Sequence, residues 1–116
     1  MGKLKKIELK DAKPYEAPGH FKVATLRLYH KETSTTQKFW VGISHFLPGG
    51  GTEMDAAPIE RVYFVLSGTL TVIDEEGQKY VLNPMDSLYI PPNVKRRIIN
   101  ETNMPVTMLV IASYPE

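Results

Sequence analysis

The stretch "PGGGTEMDAAPIERVYFVLSG", residues 48–68, decides how this chain is read. A Gly-rich segment leads through Pro58 into the nearly continuous apolar run "RVYFVL" (61–66), which Ser67 and Gly68 close. A short apolar run between turn residues reads as a buried strand. Side chains alternate along a strand, so Arg61, Tyr63 and Val65 share one face and Val62, Phe64 and Leu66 the other. "PGGG" lacks the Lys-Ser/Thr ending of a phosphate-binding loop and precedes strands rather than a helix. Its plain reading is a flexible turn.

Strand signals continue on both sides of this stretch. Upstream lie "FKVATLRLY" (21–29) and "KFWVGISHFL" (38–47), both rich in β-formers. Downstream, "TLTVID" (69–74) and "KYVL" (79–82) flank "EEGQ", where Gly77 supplies the positive φ of a hairpin turn. "SLYIPP" (87–92), "KRRIIN" (95–100) and "VTMLVIASY" (106–114) follow, with Pro or Asn in each separator. No window reads as an amphipathic helix. Many short strands at regular spacing predict an all-β sandwich or barrel with little or no helix. Residues 1–20 are expected to form an N-terminal arm or an added edge strand, and 21–116 a single barrel domain.

Composition narrows the function. The chain has 116 residues, the size of one ordinary domain. It has no cysteine, which excludes a disulfide framework, a thiolate metal site and a cysteine nucleophile. A formal net charge of +1 implies no strongly basic face, so no nucleic-acid partner is expected. Lys95, Arg96 and Arg97 do not change this, because alternation splits them across two faces. No apolar run approaches membrane-spanning length, so no membrane partner is expected. "MGKLKKIELK" lacks the continuous apolar region of a secretory signal, which makes a cytoplasmic protein the default.

Two spacings carry a specific resemblance. Gly49, five residues, Asp55, one residue, Ala57, three residues, Arg61, six residues and Gly68 form the first. Met85, five residues, Pro91, one residue, Asn93, two residues, Arg96, three residues and Asn100 form the second. Over roughly residues 38–114 the chain resembles a cupin, whose two motifs have these spacings and this order. The resemblance implies a cupin-type jelly-roll β-barrel, and a homodimer as the common assembly of small members. It also implies that the faces carrying Arg61, Tyr63, Arg96 and Asn100 line the barrel interior. Asn93 at a glycine position is a mild departure, since Asn tolerates left-handed backbone. Met85 at the other leaves that turn's geometry open.

Cupin metals usually sit on three histidines and a glutamate. The matching positions here are Asp55, Ala57, Arg61 and Arg96. An arginine stays protonated and has no lone pair to donate. No metal and no other cofactor is therefore expected. His20, His30 and His45 lie outside the ligand slots, which leaves Glu53 and Glu60 as the neighbouring carboxylates for non-standard ligation. Glu60 points away from Arg61 by alternation, unless a bulge intervenes.

Two readings of the arginines stay open. In one, Asp55, Arg61 and Arg96 form an internal ion-pair plug and the barrel binds nothing. In the other, a spare guanidinium meets a ligand anion, with Tyr63, Asn100 and the aromatic Trp40 lining the pocket. The expected function is metal-independent binding of a small anionic or carboxylate-bearing molecule inside the barrel. The alternatives are a metal-free isomerase, cyclase or decarboxylase using the arginines, and a metal-dependent oxygenase or isomerase with non-standard ligands. The fold alone does not choose among them.

Overall fold

The computed structural model describes residues 2–115. Nine strands follow in chain order: β1 (Lys13–Pro14), β2 (His20–Tyr29), β3 (Phe39–Thr52), β4 (Arg61–Ser67) and β5 (Leu70–Asp74), then β6 (Lys79–Leu82), β7 (Ser87–Ile90), β8 (Arg96–Ile99) and β9 (Val106–Ser113). Every strand expected from the sequence is present, and most ends agree within two residues. The only helical pieces among the described residues are single 3-10 turns at Leu9–Asp11 and Lys31–Thr33. Among the described residues, no helix is long and apolar enough to cross a membrane.

The strands pair antiparallel in the order β6-β5-β8-β3-β9-β4-β7, with β2 also against β3 and β1 against β2. β2 and β3 carry the chain from one sheet of the jelly roll to the other. Val23–Tyr29 of β2 run against Phe46–Val41 of β3, whereas His20 and Phe21 pair with Thr52 and Gly51. The register breaks between these segments at Lys22, whose φ is 52°. Such a break bends a strand pair sharply. Before the corner β3 pairs with β9, and beyond it Gly51 meets Ile99 of β8.

This geometry corrects the reading of "PGGG". The segment is the corner of β3, not a flexible turn. Gly49 has φ 79°, and Gly51 is buried against the backbone of β8. The second motif is also informative. Met85 and Asn93 adopt φ 75° and 64°, close to the 79° and 80° of Gly49 and Gly68. Both substituted positions therefore keep the left-handed turn. For Met85 that conformation costs about 1–2 kcal/mol, which a glycine would avoid. Its N–H is held by the Val65 carbonyl at 2.8 Å. Gly77 has φ 85° in the β5–β6 hairpin, as its sequence context indicated.

Alternation puts Tyr63, Val65, Ile98, Val106, Met108 and Phe46 in the core, each at most 3% exposed. The opposite face of the β2-β3-β9-β4-β7 sheet is apolar as well. Leu26, Ile43, Leu109 and Phe64 stand in register across four strands, and Val41, Ile111, Val62 and Tyr89 form the next row. These residues are half-buried or exposed. The N-terminal arm joins this sheet at its edge, where Lys13 and Pro14 pair with Arg27 and Leu26 of β2.

Candidate functional site

Arg96 opens β8 with its side chain turned inward, and only 6% of the residue is exposed. A buried guanidinium must find acceptors. Nη1 donates to the Asp55 carbonyl at 2.8 Å, and Nη2 donates to the Tyr63 hydroxyl at 3.0 Å. Nε is buried with no partner. Because arginine only donates, the Tyr63 oxygen must accept here, and the phenol's own proton is left to be given elsewhere. The backbones of Asp55 and Arg96 also pair, N–H to carbonyl in both directions, at 3.0 and 3.1 Å.

Arg61 begins β4 and lines the same cavity as Arg96, a space of about 370 Å³ that also touches Gly19, His20, Thr52, Glu53 and Asp55. Its Nε is likewise buried and unpartnered. A deeper lobe of about 210 Å³ shares Pro18, His20 and Arg61 with the first and reaches Tyr63, Trp40, Tyr15, Glu16 and Arg27. The two motifs thus bring Arg61, Arg96 and Tyr63 together, as the sequence indicated. Trp40 walls the deeper lobe.

The proposed ion-pair plug does not form. Among the described residues, neither Arg61 nor Arg96 has a carboxylate within 4.0 Å. The Asp55 side chain accepts the Ala56 N–H at 2.8 Å and faces the rim of the cavity, so only its main chain engages Arg96. Asn100 is also placed differently from expectation. It is fully buried and lines neither lobe, and its amide is consumed by the Phe46 and Met104 carbonyls and by Thr102.

Several residues that line the cavity escaped the sequence analysis. Tyr15 is fixed by hydrogen bonds in both directions with Thr25. Its ring meets Trp40 edge-on, with centroids 6.2 Å apart, and lies under the Arg27 guanidinium at 4.2 Å. Burial raises the Tyr15 pKa, the positive charge of Arg27 opposing it and the proximity of Tyr63 adding to it. Arg27 is itself paired with Glu32 at 2.8 Å. The signal for Arg27 was present: it is the one charge on the inward alternation Val23, Thr25, Arg27. It was masked because the other face of β2 is also apolar. Nothing local marks Tyr15 and Glu16, which reach the cavity only through the pairing of β1.

The remaining candidates sit elsewhere. Glu60 accepts from the exposed Tyr89 hydroxyl at 3.0 Å. His45 contacts Thr107 at 3.0 Å across two strands. His30 caps the Lys31–Thr33 turn by accepting the Glu32 N–H, and burial lowers its pKa.

The residues at the family's metal positions do not fit a metal. Two are arginines that only donate, one is alanine, and the Asp55 carboxylate is engaged by a backbone N–H. Among the described residues, no three His, Cys, Asp or Glu side chains gather as a ligand set.

Comparison with known proteins places the chain in context. The family model described as a cupin domain matches residues 42–112. A beta-D-galactosidase from Mycobacterium tuberculosis is 37% identical over 112 residues, covering 97% of this chain and 96% of that protein. Among solved structures, the polyketide cyclase RemF from Streptomyces resistomycificus matches with a TM-score of 0.85 at 18% identity, over 96% of this chain and 80% of its own. A sugar phosphate isomerase of the cupin superfamily from Silicibacter pomeroyi matches at 0.77 and 20% identity, over 95% and 76%. At such identities these two structures speak for the fold alone.

Proposed function

The chain belongs to the cupin family, and on that premise we propose that its barrel binds a small, carboxylate-bearing anion without a metal. The observation that carries this reading is that Arg61 lines the cavity beside Arg96 and that, among the described residues, its guanidinium makes no ion pair. A hydrogen bond from such a charged group contributes about 1.5–3 kcal/mol. A carboxylate matches the guanidinium fork. Arg61 is the residue to test, because its side chain supports no other group through a hydrogen bond. Thermal melts of the wild type are expected to rise with small carboxylates, and Arg61→Gln is expected to lose that rise while keeping its own melting temperature. No shift with any carboxylate would count against the reading.

A second reading is enzymatic. It is favoured by the full-length similarity to a protein described as a beta-D-galactosidase. Glycoside hydrolysis commonly uses two carboxyl groups, and Glu16, Glu53 and Asp55 border the cavity. Tyr63, with a free proton beside Arg96, instead suits a metal-free isomerase, cyclase or decarboxylase. Including 4-nitrophenyl β-D-galactopyranoside in the same panel, and following nitrophenol release, separates hydrolysis from binding alone.

We further propose that a second copy covers the apolar rows of the β2-β3-β9-β4-β7 sheet. Contiguous apolar faces of this kind are the usual substance of obligate interfaces. Sedimentation at micromolar concentration is expected to show a dimer, and Phe64→Glu, in the middle of a row, a monomer. A wild type that stays monomeric overturns the proposal.

A further inference from the structure

Resting on the anion-binding reading, we infer that the ligand is a monosaccharide acid, a pyranose ring carrying one carboxylate, and not a simple anion, a sugar phosphate or a neutral sugar. The first argument is the distribution of charge. The guanidinium of Arg96 lies deep, whereas Glu16, Glu53 and Asp55 are exposed residues at the border of the cavity. A ligand whose carboxylate sits at Arg61, which lines both lobes, has the rest of its body beside the border acids and the aromatic wall. Those acids disfavour a dianion such as a phosphate monoester, because like charges in a partly desolvated cleft repel strongly. A single carboxylate suffers less and fits the guanidinium fork better.

The second argument is what the rim acids need. Ionised carboxylates only accept hydrogen bonds. An aliphatic or aromatic acid would lay C–H groups against Glu16 and Glu53 and strip them of water without return. A ligand with several hydroxyls gives each of them a donor. Another hydroxyl of the ring can accept from Tyr63, whose proton is free because its oxygen already accepts from Arg96.

The third argument is the wall. Tyr15 and Trp40 are locked edge to face on one side of the deeper lobe. They present apolar area of the kind that ligand pockets combine with a few placed polar groups. A pyranose has both surfaces, C–H groups on its faces and hydroxyls at its edge. Independently of the cavity, the 37% identical relative bears the name of an enzyme acting on galactosides.

Titration calorimetry on the full chain tests this with D-galacturonate, D-glucuronate, D-galactose, acetate and inorganic phosphate. One of the uronates is expected to bind at least about tenfold more tightly than galactose, acetate or phosphate, a difference of roughly 1.4 kcal/mol. Arg61→Lys, which keeps the charge and loses the fork, should lower uronate binding toward the level of galactose. Trp40→Leu should weaken uronate binding by a larger factor than acetate binding. If acetate or phosphate binds as tightly as the uronates, the sugar-acid inference falls and the anion-binding reading stands. If galactose does so, the carboxylate is not what the arginines recognise, and both fall. If nothing binds, both fall as well.

Discussion

Gly51→Ala is expected to destabilise the barrel by on the order of 3 kcal/mol or more, the upper end of what overpacking does. A Cβ at this position would stand 2.0 Å from the Ile98 carbonyl oxygen, 2.9 Å from its carbon and 3.0 Å from the Ile99 Cα. All three are backbone atoms of β8. No flexible side-chain end can swing aside, so relief requires the β3–β8 contact itself to open. That contact is a single register pair, Gly51 with Ile99, at the point where β3 changes sheets. Gly77→Ala makes the control. It has nothing within 4 Å but a φ of 85°, so it pays only the left-handed backbone cost of roughly 1–2 kcal/mol. Urea unfolding of both variants separates lack of space from lack of conformational freedom. A Gly51→Ala midpoint at or above that of Gly77→Ala would refute the packing account.

The same glycine shows why the sequence could be read only so far. The strands were legible because alternation and turn residues are local signals, and the motif spacing added the order in which they assemble. "PGGG" was not, because glycine is used both where the chain turns and where another backbone comes close, and the letters do not distinguish the two. Alternation also placed Arg61, Tyr63 and Arg96 on inward faces, which the structure brings to a common space. It could not tell which atoms meet. Asp55 and Arg96 are neighbours as expected, yet they meet through the carbonyl of Asp55, and the carboxylate looks to the rim. Opposite charges at adjacent positions suggest an ion pair only until the rotamers are known. Tyr15 and Glu16 were invisible for a different reason. Their place in the cavity wall depends on a two-residue pairing, Lys13 and Pro14 with Arg27 and Leu26, that no local pattern announces. Met85 is the opposite case, a residue whose type argues against the turn it makes, held there because the surrounding ladder fixes the backbone.

Asn100→Ala is expected to cost about 3 kcal/mol, because it strands two or more buried polar groups at about 1–3 kcal/mol each. The side chain is fully enclosed. Its Nδ2 donates to the Met104 carbonyl at 2.8 Å and the Phe46 carbonyl at 3.3 Å, while its Oδ1 accepts the Thr102 N–H at 3.0 Å and the Thr102 hydroxyl at 2.7 Å. Its main chain is tied to the β3 corner as well: the Asn100 N–H donates to the Gly50 carbonyl at 2.8 Å and the Gly49 N–H to the Asn100 carbonyl at 2.9 Å. One residue thus joins the end of β8, the corner of β3 and the turn into β9, which explains an asparagine at the close of the second motif without any ligand. Asn100→Asp sharpens the test. It keeps the shape and the acceptor for Thr102 but sets a second carboxylate oxygen against two carbonyls. Folding then favours the protonated acid, so the folded-state pKa of the new group lies above its unfolded value. The associated stability is present below the unfolded pKa and is lost as pH rises through the folded one. The Asp variant should therefore be weak at neutral pH and recover part of its deficit relative to the wild type in acid, whereas the Ala variant should show no such recovery. Denaturant titrations of the three proteins across that range measure it. An Asn100→Ala variant within about 0.5 kcal/mol of the wild type, the range of an ordinary surface substitution, would mean that the network is dispensable.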